Sequence, residues 1–290
     1  MRRLDGVQAA NALSEQNAAQ IAGLLAKGVV PKLAAVRIGD RENDISYEKS
    51  VIKKFASLNA LAEAVYLSPD AEQDILEETI QSLNKDPAVH GILLFRPLPK
   101  HLSEERVKNM IAAEKDVDGM GLVNTAYTFA GSKRGFPPCT PQAVIELMDY
   151  YGIDAEGKKA VIIGRSLVVG KPLAMLLLEK NATVTVCHTK TADLANVCRN
   201  ADILIACAGV ARMITSDYIN SGQIVIDAGI NIKDGKLCGD VDYENVAGQV
   251  QAITPVPGGI GSITTMVLLK HTIASAIASV SRPAPTANCP

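Results

Sequence analysis

The sequence predicts an α/β protein built on parallel β-sheets. Short apolar strands alternate with helices along most of the chain, a pattern typical of parallel sheets covered by helices on both faces. Between Gly157 and Pro172, one strand runs through a glycine-bounded turn directly into a helix. The chain has 290 residues, 48% of them apolar, which is enough for one large domain or two medium ones.

The first half of the chain contains a β-α-β unit followed by a third strand. Apolar periodicity predicts strands over Lys32–Ile38, 62–67 and 89–95, and helices over 45–58, 70–84 and 103–113. The third strand stops at Arg96-Pro97-Leu98-Pro99 because proline cannot donate to a sheet ladder. Loops at such strand ends commonly carry functional residues.

The second half resumes this alternation after a stretch, residues 114–141, that is dense in Gly, Pro and Asp and indicates a domain boundary. Helices are then predicted over 142–151, 171–179, 192–200 and 261–279, and strands over Lys159–Ile163, Thr183–Cys187, 203–207 and 224–228. We therefore expect a first domain of residues 1–139 with the last helix (261–280), a second domain of residues 140–260, and a loosely ordered tail over 281–290.

Charge and cysteine content narrow the class of protein. The formal net charge is -2 and basic residues are spread along the chain, so no nucleic-acid-binding tract is expected. Six cysteines lie far apart, without a CxxC pair or a grouping with histidines, so neither disulfides nor a metal site is expected. The N-terminus lacks an apolar signal segment, and no uninterrupted apolar run is long enough to span a bilayer. These features predict a cytoplasmic protein with a small-molecule partner and no membrane contact.

The turn between Gly157 and Pro172 is typical of a phosphate-binding site. Backbone N–H groups at a helix start, with a cation beside them, can bind the phosphates of a dinucleotide. Glycine in a tight turn also has a purely steric explanation, so the turn alone is a weak signal. Small residues after two further strands, at Cys207-Ala208-Gly209 and Asp227-Ala228-Gly229-Ile230-Asn231, strengthen it, because ligands bind at the carboxyl ends of parallel strands.

The strand after this turn ends in Cys187-His188-Thr189-Lys190-Thr191. A site specific for NAD would usually carry an acidic residue there for the ribose 2′-hydroxyl, whereas this segment has hydroxyl groups and a lysine. Together with Arg165, this composition favours the 2′-phosphate of NADP, which a cation stabilises and a carboxylate repels. Lys190 could also be a solvated loop lysine, and His188 could simply cap or pack locally.

Three further motifs make the interpretation specific. They are Lys115-Asp116-Val117-Asp118-Gly119, Pro138-Cys139-Thr140-Pro141, and TPVPGGIGSIT over residues 254–264. In this order and spacing the motifs closely resemble the FolD family, the methylenetetrahydrofolate dehydrogenase/cyclohydrolases. The resemblance covers almost the whole chain, from Gly39-Asp40 to the last helix.

The resemblance implies a fold, a reaction and an assembly. It implies a cytoplasmic homodimer of two-domain subunits, with folate bound in a cleft between an N-terminal catalytic domain and a Rossmann domain. Members of the family oxidise 5,10-methylenetetrahydrofolate with NADP, and then hydrolyse the methenyl product to 10-formyltetrahydrofolate.

The same resemblance implies the site residues. Tyr47 and Asp118 would be catalytic, and the Asp118 carboxylate would accept hydrogen bonds from the pterin. The residues that would contact folate are Tyr47, Pro99, Asp118, Pro257, Gly258 and Gly259. The residues that would contact the dinucleotide are Gly164, Arg165, Ser166, Gly170, Thr189, Lys190, Gly209, Gly229, Ile230 and Thr264.

Two positions depart from the family pattern. The family has a lysine four residues after the tyrosine and a glutamine two residues before Pro-Leu-Pro, and here these positions are Val51 and Phe95. Neither side chain can move a proton or orient a water, whereas hydride transfer depends mainly on the alignment of two ligands. We therefore expect dehydrogenase activity to persist and cyclohydrolase activity to be weak or absent.

Two alternatives remain open. Lys54, on nearly the same helical face as Tyr47, or Arg96 from the strand-end loop could replace the missing groups, which would make the enzyme fully bifunctional. Lys54 could also belong to a solvated basic face. The other alternative is a non-catalytic folate- or nucleotide-binding relative, against which the intact cofactor turn and Asp118 argue.

Overall fold

The computed structural model of the chain describes residues 1–281 and contains two α/β units. The larger unit is formed by Met1–Leu13 and Thr125–Val267, and the smaller unit by Ser14–Asn124 together with the chain from Leu268 onward. The predicted α/β class with parallel sheets is confirmed. Except for Ser281, the predicted tail lies outside the described residues.

Most predicted strands and helices are present, with ends shifted by a few residues. The strands are β1 (Arg2–Arg3), β2 (Lys32–Ile38), β3 (Leu61–Leu67), β4 (Gly91–Leu94), β5 (Lys159–Ile163), β6 (Thr183–Cys187), β7 (Ile203–Ala206), β8 (Ile224–Asp227), β9 (Asn231–Lys233), β10 (Lys236–Cys238) and β11 (Ala252–Ile253). The helices are α1 (Gly6–Leu25), α2 (Glu42–Ala56), α3 (Gln73–Lys85), α4 (Glu104–Lys108), α5 (Leu122–Phe129), α6 (Cys139–Tyr151), α7 (Gly170–Glu179), α8 (Leu194–Arg199), α9 (Tyr243–Val246) and α10 (Gly261–Ser281).

The smaller unit is organised around a parallel sheet in the order β3-β2-β4. β2 and β4 are buried along almost their whole length, as expected for short apolar strands in the middle of an α/β layer. Side chains of α3, such as Leu76 and Ile80, pack with Val36, Ile92 and Leu94 of the sheet to form the core. Of the predicted folate residues, Tyr47 lies on α2 of this unit, and Pro99 and Asp118 lie in its loops.

Three regions of the chain differ from the sequence prediction. The predicted helix over 103–113 is reduced to α4, because the Asn84 side chain donates to Met110 O (2.6 Å) and accepts from Ala112 N (2.9 Å), which holds the following residues in turns. Helix α5 lies inside the stretch 114–141 that showed no clear period. Helix α1 was not predicted, because many of its apolar positions are alanines and the pattern is weak.

The larger unit contains a six-stranded sheet in the order β1-β11-β8-β7-β5-β6, in which every neighbouring pair is parallel. Because all strands run the same way, their carboxyl ends meet along one side of the sheet, which we call the carboxyl edge. The predicted bounds of β5 and β6 are those observed. The predicted cofactor loops after β5, β6, β7 and β8 therefore all lie at the carboxyl edge.

The sequence prediction did not include the antiparallel hairpin formed by β9 and β10. Its turn is Asp234-Gly235, in which both residues have positive φ (54° and 71°). An Asp-Gly pair is a common two-residue hairpin signal, because both residues tolerate this conformation. The short edge strand β1, which pairs with β11, was also not predicted.

Helix α10 is long and apolar enough to cross a membrane by length and composition alone. More than half of its apolar window is buried inside the protein, and Leu269 and Ile273 are 0% exposed. Within the smaller unit, a Cβ on Gly91 of β4 would lie 3.0 Å from Thr272 Oγ1, so α10 packs closely on the sheet. These are features of a core helix.

Candidate functional site

The motif over residues 115–118 combines two structural residues with one partly exposed carboxylate. Lys115 Nζ donates to three carbonyl oxygens at the end of α3, at 2.7–3.0 Å. The buried Asp116 carboxylate accepts from Asn124 Nδ2 and from two backbone N–H groups, which fixes the turn after the motif. Burial raises the pKa of Asp116 and lowers the pKa of Lys115. Asp118, with 23% of its side chain exposed, is the more exposed of the two carboxylates in the motif.

Arg96 lies beside Asp118 in the smaller unit. Its Nη2 is 3.5 Å from Asp118 Oδ2, and its Nη1 is 3.4 Å from Glu104 Oε1 at the start of α4. The guanidinium thus bridges the loop after β4 to the loop that carries Asp118. Pro99, in the same loop as Arg96, is partly buried, and its carbonyl oxygen accepts from Leu102 N (3.0 Å). The structure therefore brings two of the predicted catalytic residues, Arg96 and Asp118, together.

Tyr47 lies on α2 with its ring against Phe95. The two ring centroids are 6.0 Å apart at an interplanar angle of 75°, an edge-to-face contact, and Tyr47 is 38% exposed. Val51, one turn further along α2, is fully buried, and Phe95 is 6% exposed. Lys54 lies a further turn along and is partly buried. At the two departures from the family pattern, the chain therefore has packed apolar side chains.

A buried ion pair fixes α2 beside Tyr47. Glu48, the next residue, accepts from Arg37 Nε of β2 at 3.0 Å, and both side chains are largely buried. The Arg37 guanidinium also contacts Asp40 (3.2 Å) and lies 5.0 Å from the centre of the Tyr66 ring. This cluster holds the rotation of α2 relative to the sheet, and so the direction in which Tyr47 projects.

In the larger unit, two glycines close the turn between β5 and α7. Gly164 has a φ of +134°, and a Cβ on it would lie 2.4 Å from Cys207 O. A Cβ on Gly170 would lie 2.1 Å from Gly164 O. Ser166 holds the turn from inside, since its Oγ accepts from Val169 N (3.1 Å). The backbone approach in this turn is thus possible only with glycine at both positions.

The loop after β6 has the chemistry predicted for a phosphate. Thr189, Lys190 and, across the turn, Arg165 are exposed at the carboxyl edge. His188 Nδ1 accepts from Lys190 N (3.1 Å), so this histidine organises the loop. Arg165 and His188 also line one cavity of about 430 Å³. The structure therefore brings the β5 turn and the β6 loop to one place.

A second, smaller cavity joins the predicted folate segment to the predicted cofactor loop within the larger unit. Its volume is about 220 Å³, and its lining includes Gly229, Ile230, Pro257, Gly258 and Gly259. Gly258 has a φ of +95°, and a Cβ on Gly259 would lie 2.3 Å from a neighbouring carbonyl oxygen, so both positions require glycine. Two predicted sets of site residues thus share one cavity.

The remaining predicted cofactor residues lie near these loops. Gly209 follows β7 with a φ of +69° and has open space where a Cβ would lie. Thr264 lies in the first turn of α10, where its Oγ1 donates to Gly261 O (3.1 Å). Burial and two nearby aspartates raise the pKa of Cys207 to about 12, so its thiol stays protonated and is a poor nucleophile. Residues 1–281 contain no cluster of His, Cys, Asp and Glu that could hold a metal ion.

Two protein-family models match the chain, one in each half. Residues 4–118 match the model described as tetrahydrofolate dehydrogenase/cyclohydrolase, catalytic domain, and residues 138–280 match that of the NAD(P)-binding domain. The chain belongs to the tetrahydrofolate dehydrogenase/cyclohydrolase family. The predicted family is confirmed, and the protein is an enzyme that acts on tetrahydrofolate derivatives and has an NAD(P)-binding domain.

Three relatives illustrate the likeness. The chain is 49% identical to the bifunctional protein FolD of Carboxydothermus hydrogenoformans, over 93% of this chain and 96% of the relative. The bifunctional FolD enzyme of Campylobacter jejuni superposes with a TM-score of 0.94 at 41% identity, over 96% of this chain and 99% of that one. The Trypanosoma brucei dehydrogenase-cyclohydrolase, solved with NADP cofactor and an inhibitor, has a TM-score of 0.90 at 32% identity, over 96% and 98%.

These relatives are named for both activities of the tetrahydrofolate dehydrogenase/cyclohydrolase family. Their names therefore favour the bifunctional alternative, and they do not support the predicted weakening of the cyclohydrolase. The individual site residues remain predictions.

The sequence did not reveal the groups that hold the predicted site residues in place. These are the Arg37–Glu48 pair, Glu104 beside Arg96, and two buried aspartates, Asp227 and Asp240, beneath the cofactor loops. The three backbone N–H groups bound by Asp240 lie about 30 residues earlier in the chain, so no local pattern could reveal them.

Proposed function

We propose that the protein oxidises 5,10-methylenetetrahydrofolate to 5,10-methenyltetrahydrofolate with NADP, as a step of one-carbon metabolism. The observation that carries the proposal is the cavity shared by Gly229, Ile230 and the Pro257–Gly259 segment. It joins a loop predicted to contact the dinucleotide to a segment predicted to contact folate. Hydride transfer needs this adjacency of the two ligands more than it needs an acid or a base.

The carboxyl edge of the larger unit fits a dinucleotide. Gly164 and Gly170 allow the backbone of the turn to pack closely, and α7 begins there with its N–H groups, which a phosphate would approach. Arg165 and Lys190 would hold a 2′-phosphate, and no acidic side chain lies between Cys187 and Thr191 to repel it. When bound, the nicotinamide ring of NADP would supply the hydride acceptor.

In the smaller unit, Asp118 would accept hydrogen bonds from the amino and ring N–H groups of the pterin. Tyr47 and Pro99 would contact the same substrate. Arg96, 3.5 Å from Asp118, would help to hold that carboxylate in place.

The cyclohydrolase half depends on groups that this chain lacks. Val51 and Phe95 are buried and apolar, so neither can position a water or move a proton in the second reaction. We therefore propose that hydrolysis of the methenyl product is slow compared with the oxidation. The names of the relatives favour the other candidate, a fully bifunctional enzyme. In that case Arg96, which already contacts Asp118, or Lys54 would act in hydrolysis, and arginine could do so only as an electrostatic stabiliser.

The proposed oxidation is tested by following cofactor reduction with 5,10-methylenetetrahydrofolate and either NADP or NAD. We expect kcat/KM to favour NADP by about tenfold or more, since a charge-assisted contact contributes roughly 1.5–3 kcal/mol. Lys190→Glu should reverse or abolish this preference, whereas Lys158→Glu, at an exposed lysine of the same unit, should keep it. Equal use of both cofactors by the wild type would overturn the NADP assignment. Reduction of neither would favour the non-catalytic relative.

We also propose that the enzyme is a cytoplasmic homodimer without nucleic-acid or membrane partners, as the family resemblance implies. Sedimentation of the purified protein tests the dimer, and a monomer at the concentration of the assay would contradict it.

A further inference from the structure

Two buried carboxylates lie beneath the loops that follow β7 and β8. Asp240 is 0% exposed and Asp227 is 3% exposed. Burying a carboxylate costs several kcal/mol unless hydrogen bonds replace its lost hydration. The hydrogen-bond partners of these two carboxylates therefore indicate what they do beneath the predicted cofactor loops.

The Asp240 carboxylate joins the two loops. Its Oδ2 accepts from Ala208 N (2.6 Å) and Gly209 N (2.9 Å), and its Oδ1 accepts from Val210 N (2.9 Å). The same Oδ1 also accepts from Asn231 Nδ2 (2.8 Å), which follows β8. Three successive backbone N–H groups of one loop and one side chain of the other thus converge on a single carboxylate, an arrangement that suits an anion.

Asp227 fixes Asp240 from below. Its Oδ1 accepts from Asp240 N (3.1 Å) and its Oδ2 from Val241 N (2.8 Å). Its own N–H donates to Thr254 Oγ1 (2.7 Å) at the start of the predicted folate segment. The first two of these hydrogen bonds attach the backbone at Asp240 to the last residue of β8.

Two glycines make room for these carboxylates. A Cβ on Gly229 would lie 2.3 Å from Asp240 Cγ, and a Cβ on Gly239 would lie 1.9 Å from Asp227 Oδ2. Glycine is thus needed at position 229 because Asp240 packs against it. Gly229 is also one of the residues predicted to contact the cofactor. At Gly209 the space beside the backbone is open, so a ligand can approach the side of the loop away from Asp240.

We propose that Asp240, held by Asp227, is a positioning residue that fixes the spacing of loops 207–210 and 228–231 and so sets the affinity for the nicotinamide half of the cofactor. The inference rests on the proposed NADP-dependent function, because Gly209, Gly229 and Ile230 of these loops are predicted to contact that cofactor. Asp240 acts through the loops, without touching the ligand.

Asp240→Asn tests this role, because asparagine has the same shape but carries an NH₂ group in place of one oxygen. Whichever way the amide turns, its NH₂ faces two donors, so two hydrogen bonds are lost. We expect the Kd for NADP, measured by titration calorimetry, to rise about tenfold or more. Amide hydrogen exchange at residues 208–210 should accelerate. Asp217→Asn, at an exposed carboxylate of the same unit, is the control and should change neither quantity.

The possible results separate the two claims. If the wild type does not bind NADP, the proposed function fails. If the wild type binds NADP and Asp240→Asn binds it equally tightly, with unchanged exchange at 208–210, the positioning role is overturned. Should Asp240→Asn not fold, Asn231→Ala decides, because it removes only one donor to Asp240. We expect a Kd about three- to tenfold higher in that variant, and an unchanged Kd would overturn the role.

Discussion

Asp116 and Asp118 are only two residues apart, yet their surroundings assign them different roles. Asp116 is 1% exposed, and its carboxylate accepts hydrogen bonds from N–H groups of its own turn. Asp118 instead contacts Arg96 and is partly exposed to solvent. The same contrast holds in the larger unit, where Asp227 is buried and Arg165 and Lys190 are exposed. At the residue scale, exposure separates the groups that can meet a ligand from those that hold the loops.

Asp227 gives a prediction on pH. Burial, its largest cause, raises the pKa of Asp227 from an ordinary 3.8 to about 6, although three backbone N–H groups partly oppose this. The folded protein therefore holds a proton that the unfolded chain has already lost at pH 5. Binding of this proton stabilises the folded state. Its contribution to the free energy of unfolding is roughly 3 kcal/mol below about pH 4, and it is lost as the pH rises through 6.

The measurement is the free energy of unfolding of the wild type and of Asp227→Asn, taken at pH 5 and at pH 8. Asparagine cannot titrate, so the advantage of the wild type over the variant should shrink by roughly 1.4 kcal/mol between the two pH values, about half of the full effect. Asp217→Asn controls for the removal of a charge. A wild-type advantage that is the same at both values would contradict the assignment.

At the scale of elements, the turn between β5 and α7 depends on backbone contact. Gly170→Ala would place a methyl group 2.1 Å from Gly164 O, which can be relieved only by moving the turn. We expect the Kd for NADP to rise at least about tenfold and stability to fall by about 1–3 kcal/mol. Gly222→Ala, where the nearest atom to the new Cβ is 3.5 Å away, is the matched control. Unchanged NADP binding by Gly170→Ala would rule out this turn as the phosphate site.

Elements whose signal is local could be predicted, and those whose cause is distant could not. β5 and β6 follow directly from their apolar runs, and the α/β class follows from the alternation. α1 was missed because its alanines give little pattern, and the helix predicted over 103–113 was too long because Asn84, well before it in the chain, shapes its end. The site shows the same division: the glycine turns were readable in the sequence, whereas Asp240 acts on residues about 30 positions away.

At the scale of the whole molecule, the predicted site residues are divided between the two units. The larger unit contains the glycine turn and the cations predicted to bind a dinucleotide, and also the Pro257–Gly259 segment predicted to contact folate. The smaller unit contains Tyr47 and Asp118, which are predicted to contact folate, and it is there that Val51 and Phe95 depart from the family pattern. A loss confined to these two positions would affect hydrolysis and leave alignment for hydride transfer intact.

The most direct test of this account is a time course of 5,10-methylenetetrahydrofolate oxidation with NADP, in which the methenyl product is followed by its own absorbance. We predict that the methenyl compound accumulates during the time course, because the enzyme forms it faster than it hydrolyses it. Conversion of added methenyltetrahydrofolate to the formyl product at a rate comparable with the oxidation would contradict the account and establish the bifunctional enzyme.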